Sequence, residues 1–201
     1  LEKDSLEWED GKLTAGKHAA KGKNNLQLRR DSDLSIKFSG LITKKILSNE
    51  LIKSFALPKK IHGTIFSKST SGMKYGRHID NAYMSSGRAD LSFTVFLNCK
   101  KKYEGGALSI QGLNSEEKFK LDAGEIIIYP STYLHSVEKV IDGERLVFIG
   151  WIESYVKSIE EREYLFDLDA AARSLLSKYG RSEEVDLIYK SYSNFLRRLG
   201  N

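Results

Sequence analysis

Apolar residues return at helical spacing from Leu34 onward. Leu34, Phe38, Leu41, Ile42 and Ile46 lie three, four or one positions apart. That pattern predicts an amphipathic helix with Asp33 as its N-cap. Asn49 reads as the cap of a second, short helix running to Phe55, and Pro58 stops helical structure because its ring removes a backbone donor. The first 30 residues are polar and rich in Lys and Gly, broken by Trp8, Leu13, Leu26 and Leu28. They read as an irregular arm, or as short strands lying on a core.

The period changes between Ile61 and Ile152. Short β-branched and aromatic runs alternate with Gly, Asn and Asp breaks at 61–66, 75–80, 91–97, 107–110, 118–121, 125–129, 135–140 and 145–152. Eight such runs without intervening helices predict an antiparallel sandwich or barrel and disfavour a doubly wound parallel sheet. Helical spacing then resumes. Ser158 with Glu161 reads as a capping box, and Ile159, Leu165, Leu168, Leu175 and Leu176 form an apolar face up to Gly180. Ser182 opens a last helix carrying Val185, Ile188, Tyr189, Tyr192 and Leu196. The expected fold class is mainly β with flanking helices (α+β): arm and helices over 1–57, a β-core over 58–154 and a helical extension over 155–201. The amphipathic C-terminal helices suit either a cap on the core or a homo-oligomer surface.

Composition narrows the chemistry. The chain has 201 residues, 40% hydrophobic and 29% charged, enough for a real core and unlike a disordered or fibrous sequence. It lacks any run of 18 apolar residues, so no membrane-spanning helix is expected. The formal charge of +5 permits nucleic acid or an anionic small molecule as partner, but no basic patch interleaved with aromatics is present, which disfavours nucleic acid. A cytoplasmic location is the default expectation, and the start at Leu1 leaves room for a missing leading segment. With one cysteine, Cys99, an intrachain disulfide is impossible. A transition metal would have to be held by carboxylates and the four histidines, His18, His62, His78 and His135.

Three residues of these types, His78, Asp80 and His135, fall on the expected β-core. On a strand, His78 and Asp80 point to the same face, and His135 opens another strand 55 residues after Asp80. Two His and one carboxylate make a facial triad with open positions, suited to non-haem Fe(II) and oxygen chemistry. His-x-Asp alone is common by chance, and unconnected surface residues are the alternative. Arg145, ten residues after His135, adds a possible partner. A three-residue loop with Gly143 left-handed would pair Lys139 with Arg145 and put Arg145, Val147, Ile149 and Trp151 on the face of His135. From there the guanidinium could meet the far carboxylate of a five-carbon dicarboxylate chelated at the metal. The alternative is a rim salt bridge with Glu144 or Glu138.

The stretch Tyr75-Gly-Arg-His78-Ile-Asp80-Asn81-Ala82 resembles the iron-binding strand of the bacterial PKHD-type hydroxylases, Fe(II)/2-oxoglutarate dioxygenases named for a prolyl/lysyl hydroxylase domain. The resemblance continues through Asp90-Leu91-Ser92, Tyr103-Glu-Gly-Gly106, Gly124-Glu-Ile-Ile-Ile-Tyr-Pro-Ser131, Leu134-His135-Ser-Val137, Gly143-Glu-Arg145 and Trp151-Ile-Glu-Ser154. It extends to Trp8 through Gly16, Lys23-Asn-Asn-Leu-Gln-Leu28, Leu165-Phe-Asp-Leu-Asp169 and Asn194-Phe-Leu-Arg-Arg198, nearly the whole chain. It implies a double-stranded β-helix (jelly-roll) core, with His78, Asp80 and His135 as iron ligands and Arg145 as the 2-oxoglutarate anchor. It also implies oxidative decarboxylation to succinate and CO2 coupled to hydroxylation by O2, and the ascorbate dependence commonly attributed to the family. The organic substrate, whether peptide side chain, amino acid or metabolite, is left open.

One position departs from the family pattern: Ser69 stands where relatives usually carry a tyrosine that helps hold the cosubstrate. Tyr129 or another hydroxyl could substitute. Ser69 is also what supports a second reading, a non-catalytic jelly roll that binds a ligand or senses iron; a cupin-like metal enzyme without cosubstrate is a third. Trp151 is expected to wall the site or to pack in the core. Tyr75 and Asn81 flank the ligands as candidate substrate or supporting groups, with turn and core roles as the alternative. His18 and His62 are expected at the surface, Cys99 as a half-buried thiol, and Gly105-Gly106 as a bulge or tight turn.

Overall fold

A computed structural model describes residues 8–14, 16, 20–112 and 114–201. The chain opens with strands β1 (Trp8–Asp10), β2 (Lys23–Asn24) and β3 (Leu26–Leu28), followed by helices α1 (Asp33–Leu47) and α2 (Glu50–Ala56). The central region holds β4 (Pro58–Thr70), β5 (Lys74–His78), β6 (Tyr83–Met84), β7 (Gly87–Arg88), β8 (Leu91–Phe96), β9 (Tyr103–Gly105) and β10 (Leu108–Gln111). It continues with β11 (Glu116–Phe119), β12 (Ile126–Pro130), β13 (His135–Val137) and β14 (Val140–Ser154), and ends in α3 (Ile159–Tyr179) and α4 (Glu183–Leu199). His18 lies outside the described residues. Among those described, no helix is long and apolar enough to cross a membrane.

The strands form two large antiparallel sheets, and β6 pairs with β7 in a separate two-stranded hairpin. The larger runs β1-β3-β4-β14-β8-β12, with β9 on the start of β14, and the smaller runs β11-β10-β13-β5-β2. This is the jelly roll. All six residues of β8, Leu91-Ser-Phe-Thr-Val-Phe96, are buried, because both faces of the large sheet are covered. Leu91, Phe93 and Val95 join Phe66, Phe148, Ile46 and Ile52 in the core under α1 and α2. Phe66 and Phe148 face each other across β4 and β14 with ring centroids 4.7 Å apart. On the other face, Ser92 and Thr94 line a cavity between the sheets. Alternation along one strand thus separates core from site.

The arm belongs to both sheets. β2 extends the small sheet along β5, and β3 extends the large sheet along β4. Asn25 stands at the corner between them, its side-chain amide donating to Ser67 Oγ at 2.6 Å. At the far end, α3 and α4 pack Leu165, Tyr192, Leu196 and Leu199 around Leu57 and Val156. Arg162 ties α3 back to the chain by donating to the Val156 carbonyl at 2.7 Å.

Several local expectations shift. The N-cap of α1 is Ser32, in extended conformation with its hydroxyl accepting from Ser35 N, and Asp33 becomes the first helical residue, where its charge favours the positive helix end. Asn49, Ser158 and Ser182 cap as expected. Ser158 donates its hydroxyl to Glu160 rather than meeting the Glu161 side chain. The expected β13–β14 hairpin does not form. Val140 pairs with Gly105, Gly143 with Tyr103, and Arg145 with Ser69 of β4. Gly143 is left-handed (φ 79°), and a Cβ there would lie 2.2 Å from the Lys102 carbonyl oxygen. That conformation and a register shift between Val140 and Asp142 accompany the change of partner from β9 to β4 within the larger sheet, so the chain passes from β13 in the smaller sheet to β14 in the larger one instead of folding back.

Candidate active site

Antiparallel pairing of β5 with β13 sets His78 directly opposite His135, with ring centroids 4.2 Å apart. Each imidazole is fixed the same way. His78 Nδ1 lies 2.8 Å from the Gly76 carbonyl, and His135 Nδ1 lies 3.0 Å from the Tyr133 carbonyl. A carbonyl oxygen can only accept, so both Nδ1 atoms carry the proton and both Nε2 lone pairs are free for a metal. Burial, followed by the neighbouring His135, lowers the pKa of His78 to about 4, which holds it in the neutral, ligating form. The Tyr75 ring stacks on His78 at 3.7 Å, and the Tyr129 ring meets His135 at 5.2 Å.

Asp80 arrives differently from the sequence expectation. β5 ends at His78, so strand alternation does not orient the carboxylate. Hydrogen bonds do: Ser92 Oγ donates to Asp80 Oδ2 at 2.6 Å and the Trp151 indole N–H donates to the same oxygen at 2.9 Å. Ser131 Oγ lies 2.8 Å from Ser92 Oγ, which locks the hydroxyl relay. His78, Asp80 and His135 each offer one ligand atom, all within 4.8 Å of one another. Such a mixed imidazole–carboxylate set is suited to a divalent transition metal.

The triad lines a cavity of about 820 Å³ that also takes in Arg145. Arg145 is 3% exposed, and among the described residues no carboxylate pairs with it. Glu144 bonds Lys68 at 3.7 Å and Glu138 bonds Lys118 at 2.6 Å instead. The guanidinium carbon sits 5.6 Å from the Phe96 ring centroid, and Nε is buried without a hydrogen-bond partner among the described residues. Burial lowers its pKa, opposed by the neighbouring Tyr103 and Tyr129. The Tyr103 hydroxyl is itself buried without a partner of good geometry. Gly106, left-handed at φ 65°, passes close enough that a Cβ would stand 3.2 Å from Arg145 Cδ. Tyr129 spans the two parts of the site, feeling the charges of both Asp80 and Arg145, and burial raises its pKa. Ser69 stands in register with Arg145 and is 3% exposed.

A family model described as the 2OG-Fe(II) oxygenase superfamily matches residues 64–153. A PKHD-type hydroxylase of Prochlorococcus marinus (strain MIT 9215) is 76% identical over 195 residues, covering 97% of this chain and 88% of that relative. The chain belongs to the PKHD-type hydroxylases. It is accordingly an enzyme of the 2-oxoglutarate-dependent dioxygenase class. Among solved structures, a Trichoplax adhaerens prolyl hydroxylase in complex with a hypoxia inducible factor peptide superposes with TM-score 0.52 at 17% identity, covering 80% of this chain and 74% of that one. A Pseudomonas putida prolyl-4-hydroxylase gives TM-score 0.50 at 18% identity, covering 67% and 74%. At that distance these two show the fold alone.

Within the PKHD-type framework, the structure brings His78, Asp80, His135, Arg145, Ser69 and Tyr129 to one cavity, with Trp151 and Tyr75 against the triad. Asn81 lines the outer part and is exposed. His62 is not a surface residue: it is 8% exposed and bridges β4 to Ser86 Oγ and the Arg88 carbonyl, each at 2.9 Å. Sequence reasoning missed Ser92 and Ser131. The available signal was the pair of hydroxyls, Ser92 and Thr94, at alternate positions of the otherwise apolar 91–96 run.

Proposed function

We propose that this chain hydroxylates an organic substrate with O2, using Fe(II) held by His78, Asp80 and His135 and 2-oxoglutarate anchored at Arg145. The observation that carries the reading is a buried guanidinium without a carboxylate partner, facing the same cavity as the triad. A dicarboxylate would satisfy that cation while its keto-acid end reaches the ligand set. The donor chemistry fits both groups: neutral imidazoles and a carboxylate for iron, a planar fork of N–H donors for a carboxylate. When bound, iron and 2-oxoglutarate supply the oxidative decarboxylation to succinate and CO2 that drives hydroxylation.

The chain's own residues then have separable tasks. The Gly76 and Tyr133 carbonyls hold the imidazole tautomers, and Ser92 with Trp151 fixes Asp80 Oδ2 at 3.8 Å from His135 Nε2, where the carboxylate would join the imidazoles in holding the metal. Arg145 orients the cosubstrate through two parallel charge-assisted bonds. Tyr129 brings a phenol to the region that Ser69 leaves open, and Tyr75, Leu108 and Val147 keep the walls apolar and exclude water. Ascorbate would serve as a reductant in turnover.

The test is succinate formation by the purified chain with Fe(II), 2-oxoglutarate and O2, beside direct 2-oxoglutarate binding. Turnover is expected, abolished in His78→Ala and Asp80→Ala. Absence of both turnover and 2-oxoglutarate binding refutes the enzyme reading in favour of a ligand-binding or iron-sensing module.

A further inference from the structure

The arm brings another cation into the cavity. Lys23 of β2 is 5% exposed and stands opposite Tyr75 of β5, with its ammonium 5.0 Å from the Tyr75 ring centroid. Among the described residues its ammonium donates to Thr14 Oγ1 alone, at 3.1 Å, and Thr14 in turn donates to Gln27 Oε1 at 2.6 Å. No carboxylate pairs with Lys23 among the described residues. Asp80, the acid that most favours its charge, is held by Ser92 and Trp151. Burial lowers the Lys23 pKa to about 8, and the charge of Arg30 acts in the same direction. Arg30 is exposed at the rim of the same cavity, where its guanidinium donates to the Gly63 carbonyl at 3.3 Å.

A buried ammonium is expensive unless something neutralises it, and the charge of Arg30 at the exposed rim adds to the penalty. Packing of the arm needs only an apolar stem at this position, and a methionine would supply it. A cavity wall that keeps two cations beside a hydroxylation centre is suited to an anion.

We infer that this wall binds an oxyanion carried by the organic substrate, a carboxylate or a phosphate, with Lys23 as its direct counter-ion and Arg30 adding to the field. The inference rests on the reading that Arg145 is taken by 2-oxoglutarate, which leaves Lys23 for the substrate. It narrows the substrate to molecules with a free acid near the reacting carbon and excludes neutral side chains held in a capped peptide. Direct contact with a charged partner in a site this buried is worth at least a tenfold change in affinity.

The experiment uses the full chain loaded with Mn(II) and saturated with 2-oxoglutarate, titrated calorimetrically with sodium acetate in one arm and inorganic phosphate in the other. One or both probes should bind, and the tighter one names the oxyanion. Lys23→Met and Lys23→Gln should each weaken that probe at least tenfold, while Lys23→Arg stays within about threefold of the parent. Unfolding midpoints and circular dichroism confirm that the variants are folded, and 2-oxoglutarate affinity should stay within twofold. Equal probe binding in parent and both variants overturns the inference, as does absence of probe binding to the parent. Failure of the proposed function appears separately, as absence of 2-oxoglutarate binding to the unsubstituted chain.

Discussion

Replacing Arg145 by methionine separates what the guanidinium does to stability from what it does to binding. The side chain is 3% exposed, faces no carboxylate among the described residues and has an orphaned Nε. Taking such an ion out of water has an effective penalty of several kcal/mol, and replacing buried ions by apolar side chains of similar volume is neutral or stabilising by about 1–4 kcal/mol. Methionine keeps an unbranched stem against Phe96, whose ring centroid lies 5.6 Å from the guanidinium carbon. For a chain of this size each kcal/mol moves the midpoint by about 2–4 °C. The ligand-free Arg145→Met protein should therefore melt about 2 °C or more above the parent. Cosubstrate reverses the order. At a 2-oxoglutarate concentration of about one hundred times Kd, with Mn(II), the parent gains about 2.7 kcal/mol. The variant loses a charge-assisted pair worth about 2–5 kcal/mol, a Kd increase of roughly 30-fold to several thousand-fold. Thermal or urea unfolding with and without Mn(II) and 2-oxoglutarate reads both effects. A ligand-free variant destabilised by more than about 1 kcal/mol would show that the guanidinium is satisfied within the protein, and the cosubstrate argument would lose its support.

Trp151→Phe removes one of the two donors to Asp80 Oδ2, so metal affinity should fall about 10- to 100-fold with the fold intact, measured by competition against a chelator. Gly106→Ala forces a Cβ into a left-handed position 3.2 Å from Arg145 Cδ; it should lose about 1–2 kcal/mol in urea unfolding and weaken 2-oxoglutarate several-fold. Phe148→Ala, at the centre of the core under α1 and α2, should cost about 3–5 kcal/mol, seen as a lower urea midpoint. Lys23 titrates at about 8 in the folded chain against 10.5 in the unfolded one, so between those values the unfolded state holds more of the proton and folding gains stability as pH rises. The stability advantage of Lys23→Met over the parent should be full below pH 8 and shrink toward pH 10.5; a pH-independent difference would contradict the burial of a charged ammonium.

Much of this was legible along the chain. The alternation of 61–66 and 91–97, the helical spacing from Leu34 to Ile46 and the caps at Asn49, Ser158 and Ser182 are local signals, and local geometry honours them. Other features were not. Arg145 reaches the cavity by pairing with Ser69 of β4 rather than through a hairpin with Lys139, because Gly143 and its register shift redirect the strand. His62 looked like a surface residue until the β6–β7 hairpin closed over it.

The residues themselves determined the elements, the two-histidine, one-carboxylate donor set and the arginine ten residues after His135, since these depend on side-chain type and on periods of two and 3.6 residues. Tertiary structure alone decided which hydrogen bonds turn Asp80 toward the imidazoles, which strand stands opposite Arg145, and that Lys23 of the arm faces the same cavity as both. Those contacts join residues 12 positions apart for Ser92 with Asp80 and 71 apart for Trp151 with Asp80. Their meeting depends on sheet order and register, which a one-residue slip would reverse and which no pattern within a single strand encodes.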